Sequence, residues 1–277
     1  MTKIKIILGI TLLLNFCYCK QNTAETIIPK DKTQKISSND KKDSLNLVQI
    51  LEKTLVIAKQ HIDKENYQTE LKTIAKNETD SITINLKISS FFVKTQRHLI
   101  VQTKTQSTIY EHIFLIKNKT FSPVLAHKEL QIEYEKDSII DVNNDGYKDF
   151  LILGYASSGC CLKNFVSVYL FQSDESEFSK IFEFINPTFD PNEKIIRGVS
   201  YGQRGETEMY KYKWNKKTID TIEYISYEKD NDGLNTGKVI KSNKQNYKTA
   251  NAKFIKLDAI PKEYLLIDGF DWFKGEN

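Results

Sequence analysis

Ile82, Ile84, Leu86 and Ile88 alternate with polar neighbours in the segment SITINLKIS, and this two-residue period returns in short segments along most of the chain. A strand sends successive side chains to opposite faces, so each such segment buries one face and leaves the other to water. Further strands are expected at residues 99–103, 110–117, 131–135, 150–155, 164–171, 179–185, 195–201, 207–214 and 218–225. One stretch breaks the pattern: Leu47, Leu51, Leu55, Ala58 and Ile62 recur every three or four residues behind an Asp43 or Ser44 cap, which predicts a single amphipathic helix. Short strands between turn-rich pieces predict a mostly β fold, an antiparallel sandwich or barrel or a propeller-like sheet array, with one N-terminal helix.

The N-terminus carries a different kind of signal. Lys3 and Lys5 precede the apolar run Ile6 to Leu14, and Cys17, Tyr18 and Cys19 follow. That is the layout of a bacterial export signal, and the run is far short of the roughly 20 residues a spanning helix needs. Residues 1–18 are therefore read as an export signal. Cys19 resembles the lipid-bearing first residue of bacterial lipoproteins, which implies a lipid anchor and a place in the periplasm or on the outer membrane. Residues 19–43 are polar, with little beyond Ile27 and Ile28 to bury, and read as a flexible tether. Residues 44–230 then form the β-rich domain, and residues 231–277, with a short helix near Pro261, form an extension packing on it.

Charge argues against a nucleic-acid partner. The formal net charge is +4, and Lys3 and Lys5 account for two of it, leaving +2 without residues 1–18. Only Arg97, Arg197 and Arg204 stand among the 40 basic residues, and no nucleic-acid-binding signature accompanies them. Contact with a membrane is expected only through the lipid.

The densest chemistry lies in Asp141, Asn143, Asp145, Gly146 and Asp149, the pattern D-x-N-x-D-G-x-x-D. Calcium takes six to eight oxygen ligands, and this spacing offers side chains at loop positions one, three, five and nine, with the Tyr147 carbonyl at position seven. Gly146 permits the tight turn. An EF-hand would place a glutamate at position twelve, where this chain has Ile152 inside a strand-like run, so the loop is expected to precede a strand rather than a helix. The bland alternative is an Asn-Asp-Gly hairpin turn. A fainter echo runs through Glu228, Asp230, Asp232, Gly233 and Thr236 and reads as a surface turn.

On these residues DVNNDGYKDFLIL resembles the calcium loop and following strand of FG-GAP and VCBS-type repeats. With SSGCCLKNFVSVYLF, FEFINPTFD and YKYKWN after it, the order of features is similar to single-loop periplasmic lysozyme inhibitors and immunity proteins. The resemblance implies a calcium-stabilised scaffold whose neighbouring loop blocks the cleft of a peptidoglycan hydrolase. The connection carrying Ser157, Ser158, Gly159, Cys160 and Cys161 follows the metal-braced strand and is the expected partner-binding loop. Its adjacent cysteines read either as a strained vicinal disulfide or as two small buried side chains.

No catalytic residue is assigned, and the chain is not expected to be an enzyme. His61, His98, His112 and His127 lack metal-binding spacing, and no serine or cysteine sits in a nucleophile motif. Two rival functions stay open: a cell-surface glycan hydrolase using acids near the same loop, and a carbohydrate-binding or adhesion domain. The second requires Tyr210, Tyr212 and Trp214, which share one strand face, to be exposed; a core role is the alternative.

Overall fold

The computed structural model describes residues 38–74, 81–156, 159, 161–174 and 176–276. Residues 1–18, read as an export signal, and Cys19, Ser157, Ser158 and Cys160 lie outside the described residues. The fold is mostly β, built of antiparallel sheets with one long helix near the N-terminus, and no closed barrel occurs among the described residues.

Helix α1 (Ser38–Gln60) begins six residues before Ser44, inside the segment read as a tether. Strands β1 (Tyr67–Ile74), β2 (Ser81–Val93), β3 (Gln96–Lys104), β4 (Thr108–Lys117) and β5 (Thr120–Leu130) form a five-stranded meander in chain order. The β4–β5 hairpin is tight: Asn118 and Lys119 both take positive φ (50° and 58°), as a two-residue turn matched to strand twist requires. Ile82, Ile84, Leu86 and Ile88 turn to one face and pack with Leu99, Val101 and Phe114 under Ile50, Leu51 and Leu55 of α1.

The next strands make a second layer. Strands β6 (Tyr134–Ile140), β7 (Asp149–Tyr155), β8 (Asn164–Tyr169) and β11 (Phe182–Ile185) form a four-stranded sheet in the order β11-β8-β7-β6, and β9 (Phe171–Gln172) pairs with β10 (Glu177–Phe178). Strand β7 is buried on both faces, which explains its unbroken apolar run. Phe150 and Ile152 meet Ile100, Ile113 and Leu125 of the first sheet, whereas Leu151 and Leu153 face the third layer.

That third layer runs in order through β12 (Pro187–Asp190), β13 (Ile195–Val199), β14 (Met209–Asn215), β15 (Thr218–Lys229), β16 (Asn235–Ser242) and β17 (Phe254–Leu257). Its far face is closed by the C-terminal segment, where Tyr264, Ile267 and Phe273 of helix α2 (Phe270–Lys274) and the turn before it pack on Val199, Met209, Ile225 and Val239. The 231–277 segment thus supplies two strands of this sheet as well as its cap. Helix, three sheets and cap stack in succession, each interface holding its own apolar cluster.

Several expected boundaries move. Residues 131–133 form a turn and the strand begins at Tyr134, because the chain there leaves the first sheet for the second. Strands β1, β5, β10, β12, β16 and β17 escaped the periodicity reading. β5 carries Pro123 at a bulge on a sheet edge, a position where a strand tolerates the missing N–H.

Candidate functional site

The loop from Asp141 to Lys148 joins β6 to β7, so it precedes a strand as its spacing predicted. Its conformation is written by its own side chains. Asp141 accepts hydrogen bonds from the amides of Asp145 (3.2 Å) and Gly146 (2.9 Å), Asn143 Oδ1 accepts from Asp145 N (3.2 Å), and Asp145 Oδ1 accepts from Tyr147 N (2.9 Å). These are the local turns that short polar side chains impose on a backbone. Gly146 sits at φ 91° with nothing within 4 Å of a would-be Cβ, so the residue is needed for its backbone freedom alone.

Asp149 does more than close the loop. It is fully buried; Oδ2 accepts from Val142 N and Oδ1 from Phe171 N, both at 3.0 Å, so one carboxylate joins the loop, β7 and the start of β9. Burial pushes its pKa up to about 7, the two backbone donors oppose the shift, and the charges of Asp145 and Asp141 add to it. With both oxygens committed to backbone amides, Asp149 is poorly placed to act as a hydrolytic acid near this loop.

In donor type the loop fits calcium: three carboxylates, an amide oxygen and a backbone carbonyl, with a lone pair left on each bonded oxygen. In arrangement the side chains fold onto their own amides, and Asn143 Nδ2 also donates to Asp145 Oδ2 at 3.0 Å. Among the described residues no three His, Cys, Asp or Glu side chains converge as a metal cluster. The fainter echo is a β15–β16 hairpin turn: Asp230 Oδ1 accepts from the amides of Asp232 and Leu234, while Glu228 is held by Thr236 and Lys256.

The expected partner-binding connection leaves β7 at Tyr155 and enters β8 at Asn164. Of its named residues, Gly159 is exposed and Cys161 half-buried. Its base is fastened by a residue that the sequence reading passed over. Asn186, at φ 49° and 1% exposed, accepts from Asn164 N (2.9 Å) and donates through Nδ2 to the carbonyls of Leu162 and Val199 (3.0 Å each). Tyr155, the register partner of Asn164, is 43% exposed, and Tyr201 is 48% exposed with Lys163 Nζ 5.4 Å from its ring centroid. The neighbouring turn is pinned by Trp272, whose Nε1 donates to the Gly202 carbonyl at 2.9 Å.

The aromatic row is core. Tyr210 and Trp214 are buried between the second and third sheets, Tyr210 stacks on Tyr212 at 4.5 Å, and the Tyr210 hydroxyl donates to the Ile185 carbonyl. A Cβ on Gly198 would come within 2.3 Å of that hydroxyl, so the strand opposite Tyr210 has to be bare. This burial removes the aromatic platform on which a carbohydrate-binding or adhesion role depended.

A second polar feature was invisible at the level of single segments. Glu70, Asn85, Gln102, Glu111 and His127 are successive register partners across β1 to β5, a polar row traversing the whole first sheet. Glu111, 1% exposed, accepts from Gln102 Nε2 at 2.5 Å, and its Oε2 has no hydrogen-bond partner among the described residues. From the second sheet, Tyr134 donates to Asp137 Oδ1 at 2.7 Å, and both lie within reach of the Gln102 amide. Burial pushes the Glu111 pKa up to about 8; Gln102 opposes the shift, Asp137 adds to it, and Lys87 and Lys104 oppose it. One local sign of the row was present, since Glu111 stands where the alternation Ile109, Ile113 calls for an apolar side chain.

No family model, curated protein or solved structure matches the chain.

Proposed function

We propose that this chain is an exported protein-recognition module that presents the loop between β7 and β8, with Tyr155, Tyr201 and Lys163, to a protein partner. The supporting observation is Asn186: one buried side chain spends its donor and acceptor capacity on fastening the β8 end of that connection to the end of β13. Such an arrangement lowers the ordering cost a loop otherwise incurs on binding. Half-exposed tyrosines beside a lysine are the residue types that anchor protein interfaces. The partner in this reading is a peptidoglycan hydrolase whose activity the module inhibits, as the resemblance to single-loop periplasmic lysozyme inhibitors and immunity proteins implies. Export and tethering through Cys19 would put the two in one compartment.

Calcium in this reading is a brace. Bound by Asp141, Asn143, Asp145, Asp149 and the Tyr147 carbonyl, it would stiffen the β6–β7 hairpin from which the recognition loop departs. With no twelfth-position glutamate, affinity is expected around 0.1–1 mM, as in extracellular modules. At calcium about tenfold above Kd, binding to the folded state alone adds about 1.4 kcal/mol, a rise in melting temperature of a few degrees. Asp145→Ala combined with Asp149→Ala should remove that rise, and melting curves that coincide with and without chelator in the parent protein would refute the brace.

For recognition, the full chain should lower the activity of a lysozyme-type hydrolase at near-stoichiometric ratio, and Tyr155→Ala with Tyr201→Ala should relieve the inhibition at unchanged melting temperature. Full hydrolase activity across a panel of such enzymes would reject the inhibitor reading.

A further inference from the structure

The polar row does not end inside the protein. At its β1–β2 end a cleft of about 400 Å³ opens, lined by Glu70, Thr83, Asn85, Lys104, Gln106 and Gln131 together with Ser81 and Thr105. We infer that this cleft is a binding site for a small uncharged saccharide of one or two rings, separate from the recognition loop and the Asp141–Asp149 loop.

Size and lining carry the inference together. Small-molecule sites span about 300–1,000 Å³ and are mostly apolar, with a few polar groups for orientation. Here every lining side chain is polar. An apolar ligand would strip these groups of water and return nothing, whereas a ligand bearing its own hydroxyls and amides exchanges one set of hydrogen bonds for another. The two charges that line the cleft are opposite in sign and already engaged, which argues for a neutral ligand: Glu70 lies 3.5 Å from Lys72, and Lys104 rests its ammonium 5.5 Å from the Tyr134 ring centroid.

The buried part of the row orders the floor. Glu111 Oε1 takes the Gln102 amide N–H, which leaves Gln102 Oε1 to accept from Asn85 Nδ2 at 3.2 Å. Asn85, which lines the cleft, is thereby held in one amide orientation. A floor whose amides are already oriented loses little freedom when a ligand arrives. Glu111 acts here as a positioning residue through Gln102, and it does not line the cleft.

The test is a titration of the isotopically labelled full chain with N,N′-diacetylchitobiose, and separately with maltose, followed by backbone amide shifts. A site built only from hydrogen bonds is expected to bind with Kd on the order of 1 mM. The inference predicts saturable shifts at Thr83, Asn85, Thr105 and Gln106 with at least one of the two disaccharides, weakened about tenfold by Asn85→Ala. Gln106→Ala, an exposed substitution, should weaken binding while leaving the fold untouched. Absence of shifts with both sugars at about ten times that concentration would overturn the inference. So would shifts confined to the Tyr155–Tyr201 end, or binding that both variants leave unaltered.

Discussion

Glu111 puts a carboxyl where its strand calls for an isoleucine, and its protonation is tied to the fold. Its ordinary pKa is 4.5 and burial raises it to about 8 in the folded protein, where Asp137 and Tyr134 from the second sheet, His127 from β5, and Lys87 and Lys104 surround it. The folded state therefore holds this proton more tightly than the unfolded chain. Its stabilisation is fully present below about pH 4.5 and is lost as pH rises through about 8. Glu111→Gln keeps an acceptor for Gln102 and removes the titration. In urea unfolding at about pH 5 and about pH 8, the parent should lose on the order of 1–3 kcal/mol more than the variant between the two conditions. Parallel pH profiles would show that the carboxyl is already ionised in the folded state. At the same scale, the turn made by Asp141, Asn143 and Asp145 was legible, because their side chains act on amides two to five positions away, whereas the bond from Phe171 N to Asp149 crosses to another strand.

Between elements, the informative residue is Asn186, which lies in the turn between β11 and β12 and fastens the entry to β8. Asn186→Ala leaves the Leu162 and Val199 carbonyls and the Asn164 amide without that partner and keeps a non-glycine residue at positive φ. A cost of about 2–3 kcal/mol is expected. Hydrogen exchange should accelerate in residues 161–164 while β2 and β3 keep their protection, and uniform acceleration would mean that Asn186 supports the whole fold instead of this connection. The strands themselves were read best where one face is buried and the other wet, as in β2. They were read worst where the sheet edge or a cap changes the pattern. β5 is an edge strand with a proline bulge, and β16, with Asn235, Thr236 and Lys238 exposed, looks polar until β15 and β17 are seen on either side of it.

At the scale of the whole molecule, three sheets are closed at the ends by α1 and by the C-terminal segment, and no layer buries both faces without its neighbour. Phe273, fully buried and stacked 4.8 Å from Tyr227, stands at the last interface; the same far face holds Glu223, bonded by Tyr264 and Lys241. Phe273→Ala should cost about 3–5 kcal/mol and lower the melting temperature by several degrees, read by calorimetry. A change near zero would mean that the C-terminal cap is dispensable. The residues by themselves determined the β class, the single long helix and the oxygen-rich loop, because two-residue alternation, 3.6-residue periodicity and turn chemistry operate within a few positions of the chain. Only the tertiary structure decided that Tyr210 and Trp214 are core, that Asn186 holds the β8 end of the β7–β8 connection, and that five polar residues on five strands form one row ending in a cleft. Each depends on strand register and on which sheet covers which, and burial on a given face is a property of neighbours far away in sequence.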